Sequence, residues 1–169
     1  MDIQKRYPNY WSQIIKIEMK KIYLITVLSF ISLFNFAQKV DYNIQDGYIA
    51  EGYDVVEYFN KNAVKGKQTY ILTYNNAKYR FLNEENLRKF KTNPMKYVPQ
   101  YGGWCAYAMG AKGEKVSINP KTFEIREGKL YLFYNSFFNN TLESWIEEGP
   151  EKLRKKADVN WNHTKSIKK

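Results

Sequence analysis

Two stretches of alternating β-branched and aromatic residues, each interrupted by a turn-forming pair, most constrain what this chain can fold into. The first covers residues 69–82, TYILTYNNAKYRFL, with two asparagines at 75–76. The second covers residues 122–135, TFEIREGKLYLFYN, with Glu-Gly at 127–128. Asparagine and glycine accept the positive φ of a tight turn, and the alternation is that of half-buried strands. The sequence therefore predicts two β-hairpins.

Short helices are expected around these hairpins. Asn83 precedes Glu84 and Glu85, an N-cap with an acidic first turn, and predicts a helix over 84–92 that ends before Pro94. A last helix is predicted to start at Asn140 or Thr141, and a Gly-Pro break at 149–150 leads into a further helical stretch. Residues 38–52 are a polar lead-in. The fold class that follows is α+β: one small domain, residues 38–162, of two hairpins with short packed helices.

Another short helix is predicted over residues 52–59, GYDVVEYF. Asp54 and Glu57 have the spacing of a capping box, in which Asp54 accepts a first-turn N–H and Glu57 reaches back to the N–H of the cap. The capping pattern explains Asp54 by a structural role. Asp54 is also a candidate residue of a binding site.

The charge of the chain is strongly positive. The formal charge is +10, and removal of residues 1–37 leaves 22 basic against 15 acidic residues, or +7. Such a charge attracts anionic partners without specificity. The densest basic group, Lys152 with residues 154–156, is placed late on a predicted helix, where cations complement the helix dipole. A solvated helix end is therefore favoured, and no specific nucleic-acid partner is expected.

The chain has one cysteine, Cys105, and one histidine, His163. A disulfide within the chain is impossible, and no thiolate cluster can hold zinc or an iron–sulfur centre. A triad would have to recruit His163 from the predicted basic tail, residues 163–169. We therefore expect neither a cofactor nor a metal, and we predict no catalytic residue.

The N-terminal region has the layout of an export signal. An uncharged, mostly apolar run over residues 22–36 follows Lys20 and Lys21 and precedes Ala37. Residues 19–37 are therefore predicted to be a Sec-type signal peptide, with residues 1–18 as an upstream extension if Met19 is the true start. An uncleaved anchor is the alternative, and it would be the only predicted membrane contact. The expected location is the periplasm or the outside of the cell.

The most site-like segment is residues 97–110, YVPQYGGWCAYAMG, in which paired glycines stand among aromatic residues. Glycine lets the backbone turn sharply or approach a ligand closely. Cys105 within it reads as a buried small hydrophobe, with a ligand, redox or intermolecular role left open. The candidate ligand-site residues are Tyr101, Gly102, Gly103, Trp104, Cys105 and Tyr107, with Asp54 from the first helix.

Several short motifs occur in a characteristic order: GYDVVEYF, a hairpin ending in YRF, NEEN, NPMKY and PQYGGWCAYA. Together they resemble the YHS-domain family over about residues 47–161. The resemblance implies a small α+β fold and, for the exported, cysteine-poor branch, no established activity.

The metal-binding relatives of TRASH type carry cysteines where this chain has Glu57, Leu82 and Asn86. Leucine cannot ligate, and carboxylate or amide oxygens do not replace thiolates for soft metals. The resemblance therefore does not extend to the metal function.

Three functions remain open at this level. The first is a non-enzymatic binding module of the cell envelope, whose partner is an unknown small ligand or envelope component. The second is a metal or redox protein that uses Cys105 with Asp54, Tyr101 or His163. The third is an enzyme that relies on carboxylate and tyrosine groups alone.

Overall fold

The computed structural model describes residues 10–31 and 40–165. They belong to two units, Met1–Gln38 and Lys39–Lys169. The first unit contains one helix, α1 (Tyr10–Ile31), which runs without a break through Met19. Ala37, the predicted cleavage residue, lies outside the described residues. Of the helices described, none has the length and apolar character needed to cross a membrane.

The second unit is a small α+β domain, as the sequence predicts. Its strands are β1 (Ile44–Gln45), β2 (Tyr48–Ile49), β3 (Lys67–Tyr74), β4 (Ala77–Phe81), β5 (Asn119–Arg126), β6 (Lys129–Phe133), β7 (Asn135–Ser136) and β8 (Asn139–Asn140). Its α-helices are α2 (Glu84–Thr92), α3 (Pro94–Tyr97), α4 (Ala106–Lys112), α5 (Thr141–Glu148) and α6 (Pro150–Thr164). Its 3₁₀ turns are Ala50–Gly52, Glu57–Asn60 and Gln100–Gly103.

Both predicted hairpins are present. Strands β3 and β4 pair antiparallel around the turn at 75–76, and β5 and β6 pair around the turn at 127–128. Both asparagines and both residues of the second turn have positive φ, as tight hairpin turns require. Each first strand contains a register shift, which bends it over the core. Two further hairpins, β1–β2 and β7–β8, were not predicted.

The predicted helix starts are also confirmed. The Asn83 side chain accepts a hydrogen bond from the Asn86 N–H at 2.8 Å and begins α2. The Asn140 side chain accepts one from the Leu142 N–H at 3.2 Å and begins α5. Helix α6 continues to Thr164, beyond the predicted start of the basic tail.

Two local predictions were wrong. The predicted helix over 52–59 is reduced to one 3₁₀ turn, Glu57–Asn60. The basic group at 152–156 lies in the first half of α6 and not near its end, so it does not complement the dipole of that helix. The terminal nitrogens of Arg154 there form ion pairs with Glu151 at 2.6 Å and Glu127 at 3.3 Å.

The core consists of two clusters of buried side chains. The first is centred on Phe90 of α2, whose ring packs within 4.6–6.4 Å, centroid to centroid, of the rings of Tyr74, Tyr79, Phe81 and Tyr97. The second is centred on Trp145 of α5. The first hairpin belongs to the Phe90 cluster, whereas strand β6 contributes to both. An aromatic ring thus lies at the centre of each cluster.

Helices α4 and α6 approach closely at Gly110. A Cβ atom built on Gly110 would lie 2.6 Å from the Leu153 carbonyl oxygen, far inside van der Waals contact. The nearby Asn160 side chain donates to the Met109 carbonyl at 2.8 Å and closes the same interface. Glycine is needed here for the close approach of the two backbones, which brings the end of α6 beside the 97–104 segment.

The G110A variant tests this packing. The added methyl group has to push α6 away from α4, so we expect the free energy of unfolding to fall by about 1–3 kcal/mol in chemical denaturation. The control is K112A, which removes an exposed side chain from the same helix. Equal stability of G110A and K112A would contradict the close helix contact.

Candidate functional site

A cleft of about 430 Å³ opens beside the 3₁₀ turn Gln100–Gly103. This volume is in the range of small-molecule sites. Its aromatic wall is formed by Tyr42, Tyr74, Tyr101 and Trp161. Its polar groups are Asn75, Gln100, Lys129, Asp158 and Asn162. Its remaining lining is Val40, Met95, Val98, Pro99 and Gly102.

The floor of the cleft is a strained backbone turn. Tyr101 has φ 53° and Gly102 has φ 63°, both in the left-handed region. That conformation costs a tyrosine about 1–2 kcal/mol, and such outliers cluster at functional sites. The Trp161 ring packs directly on Gly102, since a Cβ built there would lie 2.8 Å from its Cη2 atom. The turn is thus held in shape by the end of α6.

Hydrogen bonds fix the polar side of the cleft. The Tyr101 hydroxyl donates to Asp158 Oδ1 at 3.1 Å. Burial, together with the neighbouring Asp158 carboxylate, raises the pKa of Tyr101. Burial and Tyr74 likewise raise the pKa of Tyr42. Both phenols therefore stay protonated at neutral pH. The Tyr101 proton is donated to Asp158, so the Tyr101 oxygen is left as an acceptor, whereas Tyr42 can donate.

Two of the seven predicted site residues, Tyr101 and Gly102, line this cleft. Gly103 faces the other way, and its backbone carbonyl accepts a bond from the buried Asn43 side chain at 3.0 Å. Trp104 anchors the lead-in, because its indole N–H donates to the Asp41 carbonyl at 2.9 Å. The Tyr107 hydroxyl donates to Glu148 at 2.6 Å.

Cys105 is fully buried. Its sulfur accepts the Tyr134 N–H at 3.3 Å and lies 3.4 Å from the Thr141 hydroxyl. The thiol thus joins the start of α4 to the end of β6 and to α5. A sealed, hydrogen-bonded sulfur in this position has no open face towards a ligand.

Asp54 lies at a different place, fully buried. Its Oδ1 atom accepts the Val56 N–H at 2.8 Å, as expected of a cap. Its Oδ2 atom accepts the Leu82 N–H and the Asn86 side-chain N–H, both at 2.7 Å. The carboxylate therefore connects the 3₁₀ turn, the end of β4 and the first turn of α2.

The second half of the predicted capping box was wrong. The Glu57 carboxylate does not reach back to the N–H of Asp54, which donates to the Val64 carbonyl at 2.9 Å. Instead Glu57 accepts the other side-chain N–H of Asn86 at 2.6 Å. One asparagine amide thus bridges two buried carboxylates.

Positions 57, 82 and 86, which the predicted YHS resemblance aligns with metal-binding cysteines, meet in space around Asp54. Here a hydrogen-bond network fills that place. Within residues 10–31 and 40–165, no three His, Cys, Asp or Glu side chains come together as a metal site would need.

Burial raises the pKa of Asp54, and the three N–H donors offset part of that shift. Because the folded pKa lies above the unfolded one, the folded protein binds this proton more readily.

Removal of the Asp54 carboxylate should destabilise the domain severely. In D54A, the N–H groups of Val56, Leu82 and Asn86 lose their acceptor in a buried place, so we expect a loss of about 3 kcal/mol or more in chemical denaturation. D54N should also be destabilised, because one acceptor oxygen becomes a donor that faces an N–H. The control is E147A on the exposed face of α5. Parent-like stability of D54N would contradict the network.

Thiol labelling tests the burial of Cys105. In the native protein, a water-soluble aromatic disulfide reagent should leave the thiol unlabelled, because the sulfur has no solvent contact. In guanidinium chloride, one thiol per chain should react at once. Labelling of the native protein at the rate of the denatured protein would contradict the structure.

No protein-family model matches the chain, and neither does any curated protein or solved structure. The resemblance to the YHS family therefore stays a prediction, which depends on the motifs in the sequence.

Sequence reasoning missed most of the cleft. Trp161, Asp158 and Asn162 come from α6, whereas Tyr42 lies in the lead-in and Tyr74 ends strand β3. The one available signal was Trp161, a tryptophan near the end of a charged helix. It indicates a wall of the cleft only once the fold is known.

Proposed function

We propose that this chain is an exported, YHS-like binding module of the cell envelope, which holds a small ligand in the cleft beside Tyr101 and Gly102. The observation that carries the proposal is the cleft itself: a concave site with an aromatic wall, set on a strained backbone turn. Export is the prediction from residues 19–37, and it supplies the envelope as the place of action.

The composition of the cleft favours a neutral, hydroxyl-rich ligand. Half-buried faces of Tyr42, Tyr74 and Trp161 can stack on the C–H faces of a ring. Amides of Asn75, Gln100 and Asn162 offer both donors and acceptors to hydroxyl groups.

The two formal charges in the lining, Lys129 and Asp158, are of opposite sign. An anionic or cationic ligand therefore gains little from them. A neutral oligosaccharide of the cell envelope fits this set of groups best.

The redox alternative finds little support in this geometry. Cys105 is fully buried and hydrogen-bonded, and it does not line the cleft. Asp54 serves a buried network in another part of the domain. The cleft and the thiol are therefore separate features, and the proposed binding role requires the cleft but not the thiol.

Titration calorimetry with a panel of neutral cell-wall and storage oligosaccharides tests the proposal. We expect at least one of them to bind the parent protein, and W161A to weaken that binding about tenfold or more, since the stacking face is lost. The control is F138A, which removes an exposed aromatic side chain outside the cleft.

Two outcomes would contradict the proposal. The first is the absence of binding across the panel. The second is binding of equal strength to the parent and W161A. A sulfated polysaccharide serves as the anionic comparison: binding that vanishes in high salt and ignores W161A reports the net positive charge alone.

A further inference from the structure

The most exposed aromatic residues described are Phe137 and Phe138, here called the phenylalanine tip. They form the two-residue turn of the β7–β8 hairpin, in which Asn135 pairs with Asn140 and Ser136 with Asn139. Each ring is 93% exposed. The two rings contact each other edge to face, with centroids 4.7 Å apart.

Neither the turn nor the core explains these two residues. Two-residue hairpin turns favour glycine, asparagine or aspartate at positive φ, and neither Phe137 nor Phe138 has a positive φ. Neither ring belongs to the Phe90 cluster or the Trp145 cluster. Two adjacent large apolar rings in water are unfavourable, so they point to a contact outside the domain.

The base of the hairpin is firmly attached to the domain. The Asn135 side chain donates to the Thr122 hydroxyl at 3.0 Å, and the Asn119 side chain donates to the Asn135 carbonyl at 3.4 Å. The Thr141 hydroxyl donates to the Tyr134 carbonyl at 2.7 Å. The tip is therefore a fixed protrusion, and its rings are presented without a large ordering cost on binding.

We propose that the phenylalanine tip inserts into the interfacial region of a lipid bilayer. A protein partner would have to provide a pocket for a convex knob, whereas a bilayer accepts a protruding pair of rings at any point. Asn135, Ser136, Asn139 and Asn140 flank the rings and can hydrogen-bond to headgroups while the rings lie among acyl chains.

The charges near the tip indicate the kind of bilayer. Lys121 is exposed close to Asn119, and Glu143 accepts a bond from the Asn140 side chain at 2.8 Å. Lys121 and Glu143 are of opposite sign, so this pair adds no net charge at the base of the hairpin. At a zwitterionic bilayer, insertion is therefore driven by the apolar rings and does not depend on low salt.

This contact is independent of the cleft beside Tyr101 and Gly102. Cleavage of the N-terminal segment is the prediction and an uncleaved anchor is the alternative. Because an uncleaved segment 22–36 would itself attach the full chain to a vesicle, the test must report on the tip locally. The F138W variant supplies such a report in the full chain. Phosphatidylcholine vesicles with brominated acyl chains quench only those indoles that enter the bilayer.

Quenching of the added indole is taken as the excess over the quenching of the four native tryptophans. We expect this excess in F138W to exceed that in the control V159W by about twofold or more. Val159 is likewise an exposed apolar residue, on α6. The F137S/F138W variant should lose about half of that quenching, since half of the apolar tip is gone. Quenching should persist in high salt.

Thermal melting should be parent-like in each variant, because neither ring contributes to the core. Quenching in F138W no greater than in V159W would overturn the proposal. Quenching that disappears in high salt would overturn it as well, since it would then depend on charge.

Discussion

The buried carboxylate of Asp54 is the interaction on which the first half of the domain depends. Through N–H groups of Val56, Leu82 and Asn86 it joins a 3₁₀ turn, the end of strand β4 and the start of helix α2. A buried carboxylate is tolerated only when its acceptor positions are filled, and these donors fill them. Helix α2 in turn carries Phe90, the centre of the first core cluster.

The walls of the cleft beside Tyr101 and Gly102 come from both core clusters. Tyr74 packs against Phe90 in the first cluster, and Tyr101 packs against Tyr131 in the second. Trp161 reaches the cleft because α6 lies close to α4 at Gly110, and its ring then seals the turn at Gly102. Helix packing, turn strain and site shape are thus parts of one arrangement. The binding role that we propose rests on that arrangement and not on any single residue.

The parts that the sequence predicted are those set by neighbouring residues. Both long hairpins have a turn pair with the correct conformational freedom, and α2 and α5 each begin at an asparagine cap. The β1–β2 hairpin also carried a local signal, the Asp-Gly pair at 46–47, which favours a tight turn.

The remaining features depend on contacts between distant residues. The Asp54 and Glu57 spacing suits a capping box, but Asn86, far along the chain, offers Glu57 a stronger partner in the buried interior. Cys105 is sealed by Tyr134 and Thr141, which the local segment does not contain. The β7–β8 strands are too short for alternation to reveal them, so the phenylalanine tip was missed.

Native-state hydrogen exchange measures the role of Asp54 most directly. If the carboxylate is the hub of the first half, the Val56 and Leu82 amides, which lie outside any strand or helix, should exchange only through global unfolding. Their protection should then equal that of core amides in β4, such as Tyr79. Fast, loop-like exchange of the Val56 and Leu82 amides, with β4 still protected, would contradict this role. The turn, the hairpin and α2 would then be joined by apolar packing alone.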